Sequence, residues 1–172
     1  MIKSAICFSI LFLVGCKSDT QLLIERLPGY YENSIKIGHA QFDEMEVQNA
    51  KMDQLLIVAS SGRFQHRGRL YSTNRFGDLE IGRGRTVGRW ELTDSSRNLF
   101  TFNVEQSTWE KYDMYDRYEP PTPNRNAIGK KITAILQEDG DLRYGDAVYA
   151  QRRRGGSSTG SNTRALEDDV IK

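Results

Sequence analysis

Arginine supplies the densest chemistry in this chain. Residues 63–97 hold eight arginines (Arg63, Arg67, Arg69, Arg75, Arg83, Arg85, Arg89, Arg97) against four acids (Asp78, Glu80, Glu91, Asp94). A guanidinium presents a planar fork of N–H donors that matches phosphate or carboxylate bidentately. Gly82-Arg83-Gly84-Arg85 reads as a loop that carries two such forks. Arg67 and Arg69 lie on one strand face, opposite Phe64, His66, Gly68 and Leu70. Arg67, Arg69, Arg83 and Arg85 are therefore candidates for contact with lipopolysaccharide phosphates, wall-polymer carboxylates or an acidic protein. A plainer role also fits them, as outward strand charges balanced by residues 98–124, which carry five acids against Lys111 and Arg117. The glycine spacing is not that of a dinucleotide-binding loop.

Aromatic residues form a second group. Trp109, Tyr112, Tyr115 and Tyr118 recur every third residue, interleaved with Glu110, Asp113, Asp116 and Glu119 and followed by Pro120, Pro121 and Pro123. That period suits neither strand nor straight helix, so the segment reads as a long connection. Trp109 and Tyr112 are the candidates for a lid over a ligand, or for a loop packed on a wall. The two histidines are isolated in sequence, with His66 on an apolar strand face and His39 beside Gly38 at a turn. No metal-ligand spacing, nucleophile elbow or zinc-protease motif is present. The sequence therefore names no catalytic residue, metal site or cofactor, and the expected function is non-catalytic.

The amino terminus carries a different chemistry. Lys3 precedes an uncharged run from Ser4 to Val14, which is the pattern of a secretory signal and is too short to span a bilayer. It ends in Leu13-Val14-Gly15-Cys16, which resembles the lipobox of bacterial lipoproteins. The resemblance implies cleavage after Gly15, lipidation of Cys16 and a stable membrane anchor through its acyl chains. Lys17 after that cysteine resembles the outer-membrane default, with the domain facing the periplasm or the cell surface. Removal of residues 1–15 leaves 157 residues with 23 basic and 23 acidic side chains. A neutral, exported domain has no global attraction to nucleic acid. The other cysteine, Cys7, lies in the signal, so core packing must hold the mature fold without a disulfide.

The elements that must position these groups read as strands. Residues 16–26 form a tether and a short helix that Pro28 stops. From 27 to 152 the chain alternates at period two. Tyr31, Asn33, Ile35 and Ile37 share one face, as do Gly88, Trp90 and Leu92, and likewise Phe100, Phe102 and Val104. Leu55 to Ala59 is continuously apolar, Phe42 to Val47 is a weaker strand, and Leu79 and Ile81 alternate with acids. Asp94–Asn98 and Asp139-Gly140 read as hairpin turns. About eight to ten short strands predict an all-β domain, a closed antiparallel barrel with a β-sandwich as the alternative. Residues 153–172, rich in Gly and Ser, read as a disordered tail.

Leu27-Pro28-Gly29-Tyr30-Tyr31, Gly88-Arg89-Trp90-Glu91-Leu92 and the closing Val148-Tyr149 are similar to pieces of small bacterial lipocalin-like domains, although Tyr31 stands where Trp is usual. The resemblance covers about residues 27–152 and implies an up-and-down barrel that holds a small apolar or amphipathic ligand. Inward periodicity then makes Asn33, His66, Trp90 and Phe102 the candidate lining, beneath Trp109 and Tyr112. An envelope interaction module that uses the arginine surface is the alternative function.

Overall fold

The computed structural model describes residues 18–42, 45–74, 77–111 and 120–152. The signal segment, Cys16, Tyr112 and the tail from 153 onward lie outside these residues. The short helix α1 (Asp19–Arg26) begins where the Ser18 side chain accepts from the Gln21 N–H, an N-cap that satisfies one of the first-turn donors. Among the described residues nine strands follow: β1 (Gly29–Phe42), β2 (Met45–Val58), β3 (Arg63–Asn74), β4 (Gly77–Asp94), β5 (Leu99–Lys111), β6 (Thr122–Pro123), β7 (Lys131–Leu136), β8 (Leu142–Tyr144) and β9 (Ala147–Gln151).

Eight of these strands close an up-and-down antiparallel barrel in the order β1-β2-β3-β4-β5-β7-β8-β9, with β9 returning to β1. The two-residue β6 lies along the outer end of β5. Closure removes the unpaired edges of an open sheet. Among the described residues the β1–β9 seam is narrow, with Tyr31 opposite Gln151 and Glu32 opposite Ala150. Further contacts strengthen it: the Arg152 N–H donates to Tyr30 O at 2.8 Å, and the Arg152 guanidinium pairs with Glu32 at 3.1 Å.

One end of the barrel is solid. Leu23 and Leu27 of α1 and its cap cover a core of Tyr31, Leu56, Val58, Phe64, Trp90, Phe100, Phe102, Ala134, Leu136, Leu142, Tyr144 and Tyr149. Rings meet edge to face, Phe64 on Phe102 at 5.0 Å and Phe102 on Tyr144 at 5.2 Å. A smaller cluster of Ala50, Leu70 and Ile81, with Met52 and Trp109, fills the region where β2 to β5 run on. The Leu55–Ala59 run is continuous because both its faces are buried: Leu56 and Val58 point inward, while Ile57 and Ala59 form a third cluster with Tyr30 and Leu55.

Three expectations change. No separate strand occupies 42–47, since Phe42 ends β1 and Met45 begins β2. The alternation on β1 fails after Lys36, where a bulge leaves Ile37 without a partner, and Ile35 and Ile37 are 39% and 38% exposed. A second irregularity lies in the β3–β4 pairing at Leu70/Tyr71, and Ile81 is buried while Leu79 is exposed. Single-residue irregularities of this kind do not mark themselves in a hydrophobic pattern.

Gly88 is the tightest backbone approach in the barrel. A Cβ there would lie 2.0 Å from Asn103 O and 2.8 Å from the Phe64 ring. Gly88→Ala is expected to cost about 3 kcal/mol, read as a fall of roughly 10 °C in Tm by calorimetry. Gly68→Ala is the control, because its Cβ would meet nothing within 4 Å. Equal Tm values for the two variants would refute this packing.

Candidate functional site

The outward faces of β1 to β5 carry a two-tier strip whose members are fixed by strand pairing. In one tier Glu32, Leu55, Arg67, Arg85 and Thr108 stand opposite one another in turn across the five strands. In the next tier Ser34, Asp53, Arg69, Arg83 and Glu110 do the same. The barrel register thus gathers Arg67, Arg69, Arg83 and Arg85, separated by up to 18 positions in sequence, into one two-by-two block.

Gly82-Arg83-Gly84-Arg85 is not a loop but the middle of β4. A Cβ at Gly84 would lie 2.6 Å from the Trp109 ring, and one at Gly82 2.9 Å from it. The glycines make room for the indole on one face, and their alternation sends both arginines to the other. Trp109, expected in a connection, belongs to β5 opposite Gly84.

Two cavities open on the arginine block. The larger, about 570 Å³, is bordered by Glu32, Ser34, Asp53, Leu55 and Tyr71, and by Arg67 and Arg69. The smaller, about 300 Å³, is bordered by all four arginines with Thr108 and Glu110. Arg67 and Arg69 are common to both, so the two form one trough with a cationic centre.

The charges in that centre are unevenly balanced. Arg83 Nε is held by Glu110 Oε2. Arg69 hydrogen-bonds Tyr71 and feels Glu80, which together raise its affinity for its proton. Arg67 Nε donates to Oε1 of Gln65, a fully buried amide that steers the guanidinium from below. Arg85 has no acidic partner among the described residues. Like charges directly opposite on paired strands are destabilising, by several tenths of a kcal/mol per pair. The register sets Arg67 and Arg85 at directly opposed positions of this kind.

The barrel interior holds a separate polar belt above the aromatic core. Tyr149 donates to Gln54 Oε1 at 2.7 Å, and its hydroxyl lies 3.1 Å from His66 Nε2. With the Tyr149 proton spent on Gln54, His66 donates from Nε2. Burial pulls the imidazole down to about 4, so it is neutral at physiological pH. Tyr144, whose ring is 5.6 Å from His66, has a buried hydroxyl with no hydrogen-bond partner among the described residues. Burial raises both tyrosines above the ordinary phenol range, with the nearby Tyr149 also acting on Tyr144.

The candidate lining residues separate. Trp90 and Phe102 are 8% and 0% exposed within the packed core, and Trp90 Nε1 donates to Ala59 O at 2.8 Å. His66 is in the polar belt, Asn33 is half-buried on β1 and borders the larger cavity beside Gln54, and Tyr112 is outside the described residues. Sequence reading did not identify Tyr71, Asp53, Ser34, Gln65 or Glu110 as neighbours of the arginines. The signal for them was the position of the hairpin turns, since Ser60-Ser61-Gly62 alone sets Leu55 against Arg67 and Asp53 against Arg69. Among the described residues no group of three or more His, Cys, Asp or Glu gathers to hold a metal. The sequence matches no family model and no curated protein.

His66 yields a pH prediction. Its imidazole has the ordinary pKa of 6.5 outside the fold and about 4 inside it. As pH falls through this interval the unfolded chain takes up the proton first, so stability is lost between pH 6.5 and about 4 and is complete above 6.5. The linkage amounts to about 3 kcal/mol. His66→Gln should remove that share of the acid dependence in urea unfolding followed from neutral to mildly acidic pH. An unchanged dependence would show that the group titrates normally.

Proposed function

We propose that this chain is a non-catalytic envelope lipoprotein whose barrel presents the Arg67, Arg69, Arg83 and Arg85 block to an anionic partner. The observation that carries the reading is the like-charge pairing of Arg67 with Arg85 beside two cavities. Guanidinium forks set on opposed strand positions match a phosphate or carboxylate placed between them. The lipobox resemblance at Leu13–Cys16 supports location, with Cys16 acylated and the barrel held at the membrane, in keeping with an outer-membrane address. A partner there is a phosphorylated or carboxylated component of the envelope or an acidic protein surface.

A second reading keeps the small apolar or amphipathic ligand inside the barrel, as the lipocalin-like resemblance implies. The closed eight-stranded architecture, the open space beside Gly68 and the unpartnered Tyr144 hydroxyl favour it. Against it, Trp90 and Phe102 are consumed by core packing, and neither cavity described above is bordered by them. The outer face is therefore the preferred site.

Calorimetric titration with pyrophosphate tests the anion site. Saturable binding is expected, weakened at least about tenfold in Arg67→Ala/Arg85→Ala and weakened by added salt. Titration without saturation, or indifference to both substitutions, would overturn the reading. The anchor is tested separately by metabolic labelling with a clickable fatty acid in a bacterial host. Label should appear on the wild-type chain and vanish in Cys16→Ser; equal labelling of both would remove the lipoprotein assignment.

A further inference from the structure

The trough is polar along its length, and its polarity restricts what can lie in it. The arginines of β3 and β4 stand in its middle, with Glu110 toward β5 and Glu32 and Asp53 toward the β1–β2 end. Burial pushes the Asp53 carboxyl up, but the Ser34 hydroxyl at 2.7 Å and the charges of Lys51 and Arg69 outweigh it and hold the group below its usual range. Asp53 is thus a carboxylate at neutral pH. At the β1–β2 end Glu32 is paired with Arg152 and Asp53 with Lys51, so a second anionic group laid toward it would have to compete with both carboxylates for those cations. A ligand with one anionic end and an uncharged, hydrogen-donating body meets no such conflict.

The remaining surfaces describe that body. Carboxylates accept from hydroxyls and donate nothing. Leu55 and Tyr71 add the apolar surface of the cavity, with the Tyr71 ring steadied by the Lys51 ammonium 5.8 Å from its centre. Tyrosine combines an apolar face with a polar tip, which suits a molecule whose C–H face and hydroxyl rim alternate. Leu55 is the single aliphatic side chain bordering the cavity among the described residues, too little to hold an acyl chain. A volume of about 570 Å³ lies within the range of small-molecule sites.

We propose that the site takes a saccharide bearing one anionic group, with its charge between Arg67 and Arg85 and its hydroxyls toward Glu32 and Asp53. The inference rests on the anion-binding reading above and specifies its occupant. The anionic sugar is a lipid headgroup or a soluble sugar phosphate; both present the same chemistry.

The test is calorimetric titration of the full chain with inorganic phosphate, N-acetylglucosamine, N-acetylglucosamine 1-phosphate and alanyl-alanine. The sugar phosphate should bind about tenfold or more tighter than phosphate or the neutral sugar. Glu32→Gln, at an exposed position, should weaken the sugar phosphate severalfold and leave phosphate unchanged, whereas Arg67→Ala/Arg85→Ala should weaken both. Vesicles bearing a phosphorylated glycolipid should compete with the sugar phosphate if the source is a headgroup, and should not if it is soluble. If the sugar phosphate binds no tighter than phosphate while both still need the arginines, the saccharide is overturned and the anion site stands. If no anion binds, both fall. If the dipeptide binds as tightly as the sugar phosphate, the occupant is a peptide carboxylate and the saccharide is overturned.

Discussion

Antiparallel pairing through β2, β3, β4 and β5 couples the inside of this barrel to its outside. Successive side chains on a strand face opposite ways, so a slip of one residue would exchange the two sets. The register that sets Phe64 against Gly88 also sets Arg67 against Arg85 and Arg69 against Arg83. The requirement to bury Phe64, Trp90, Phe100 and Phe102 is far larger than the repulsion between exposed guanidiniums. The core therefore dictates the register, and the arginine block is held in place by energy spent elsewhere.

Gly82 and Gly84 show the coupling most directly. Trp109 lies against both, at distances that leave no room for a Cβ. With glycine on that face, the alternate positions on the other face are Arg83 and Arg85. A bulkier residue at either glycine would displace the indole, and the strand carrying the two forks would move with it. Gln65 acts from the next strand: it is fully buried, yet its Oε1 accepts from Arg67 Nε and fixes where that guanidinium points.

The interior is divided rather than uniform. Below lies a ring-packed core closed by α1. Above it, Tyr149, Gln54 and His66 form a neutral hydrogen-bonded belt, and further out Trp109 gathers Ala50, Met52, Leu70 and Ile81. Burial keeps His66 uncharged, so positive charge is confined to the outer surface, where water lowers its cost. This separation of a neutral inside from a cationic outside is what lets a chain of near-zero net charge carry a local cluster of positive charge.

Much of the architecture was readable from residue order alone. Period-two alternation in Phe100, Phe102 and Val104, the apolar run Leu55–Ala59 and the turns at Asp94–Asn98 and Asp139-Gly140 were enough for a closed β domain with one short helix. They mark which face of a strand is apolar, and that is a local property. The same alternation placed Arg67 and Arg69 on one face. It could not show that Arg83 and Arg85 stand opposite them, because partner and register belong to pairs of strands and depend on turn lengths and bulges. It mistook Gly82–Arg85 for a loop, since a glycine that yields to a tryptophan on the neighbouring strand looks in isolation like a glycine that bends the chain. Asp53, Glu110 and Tyr71 join the arginines, Asn33 borders the same cavity, and Trp90 and Phe102 pack into the core, all through contacts across strands. Those contacts exist only once the barrel has closed.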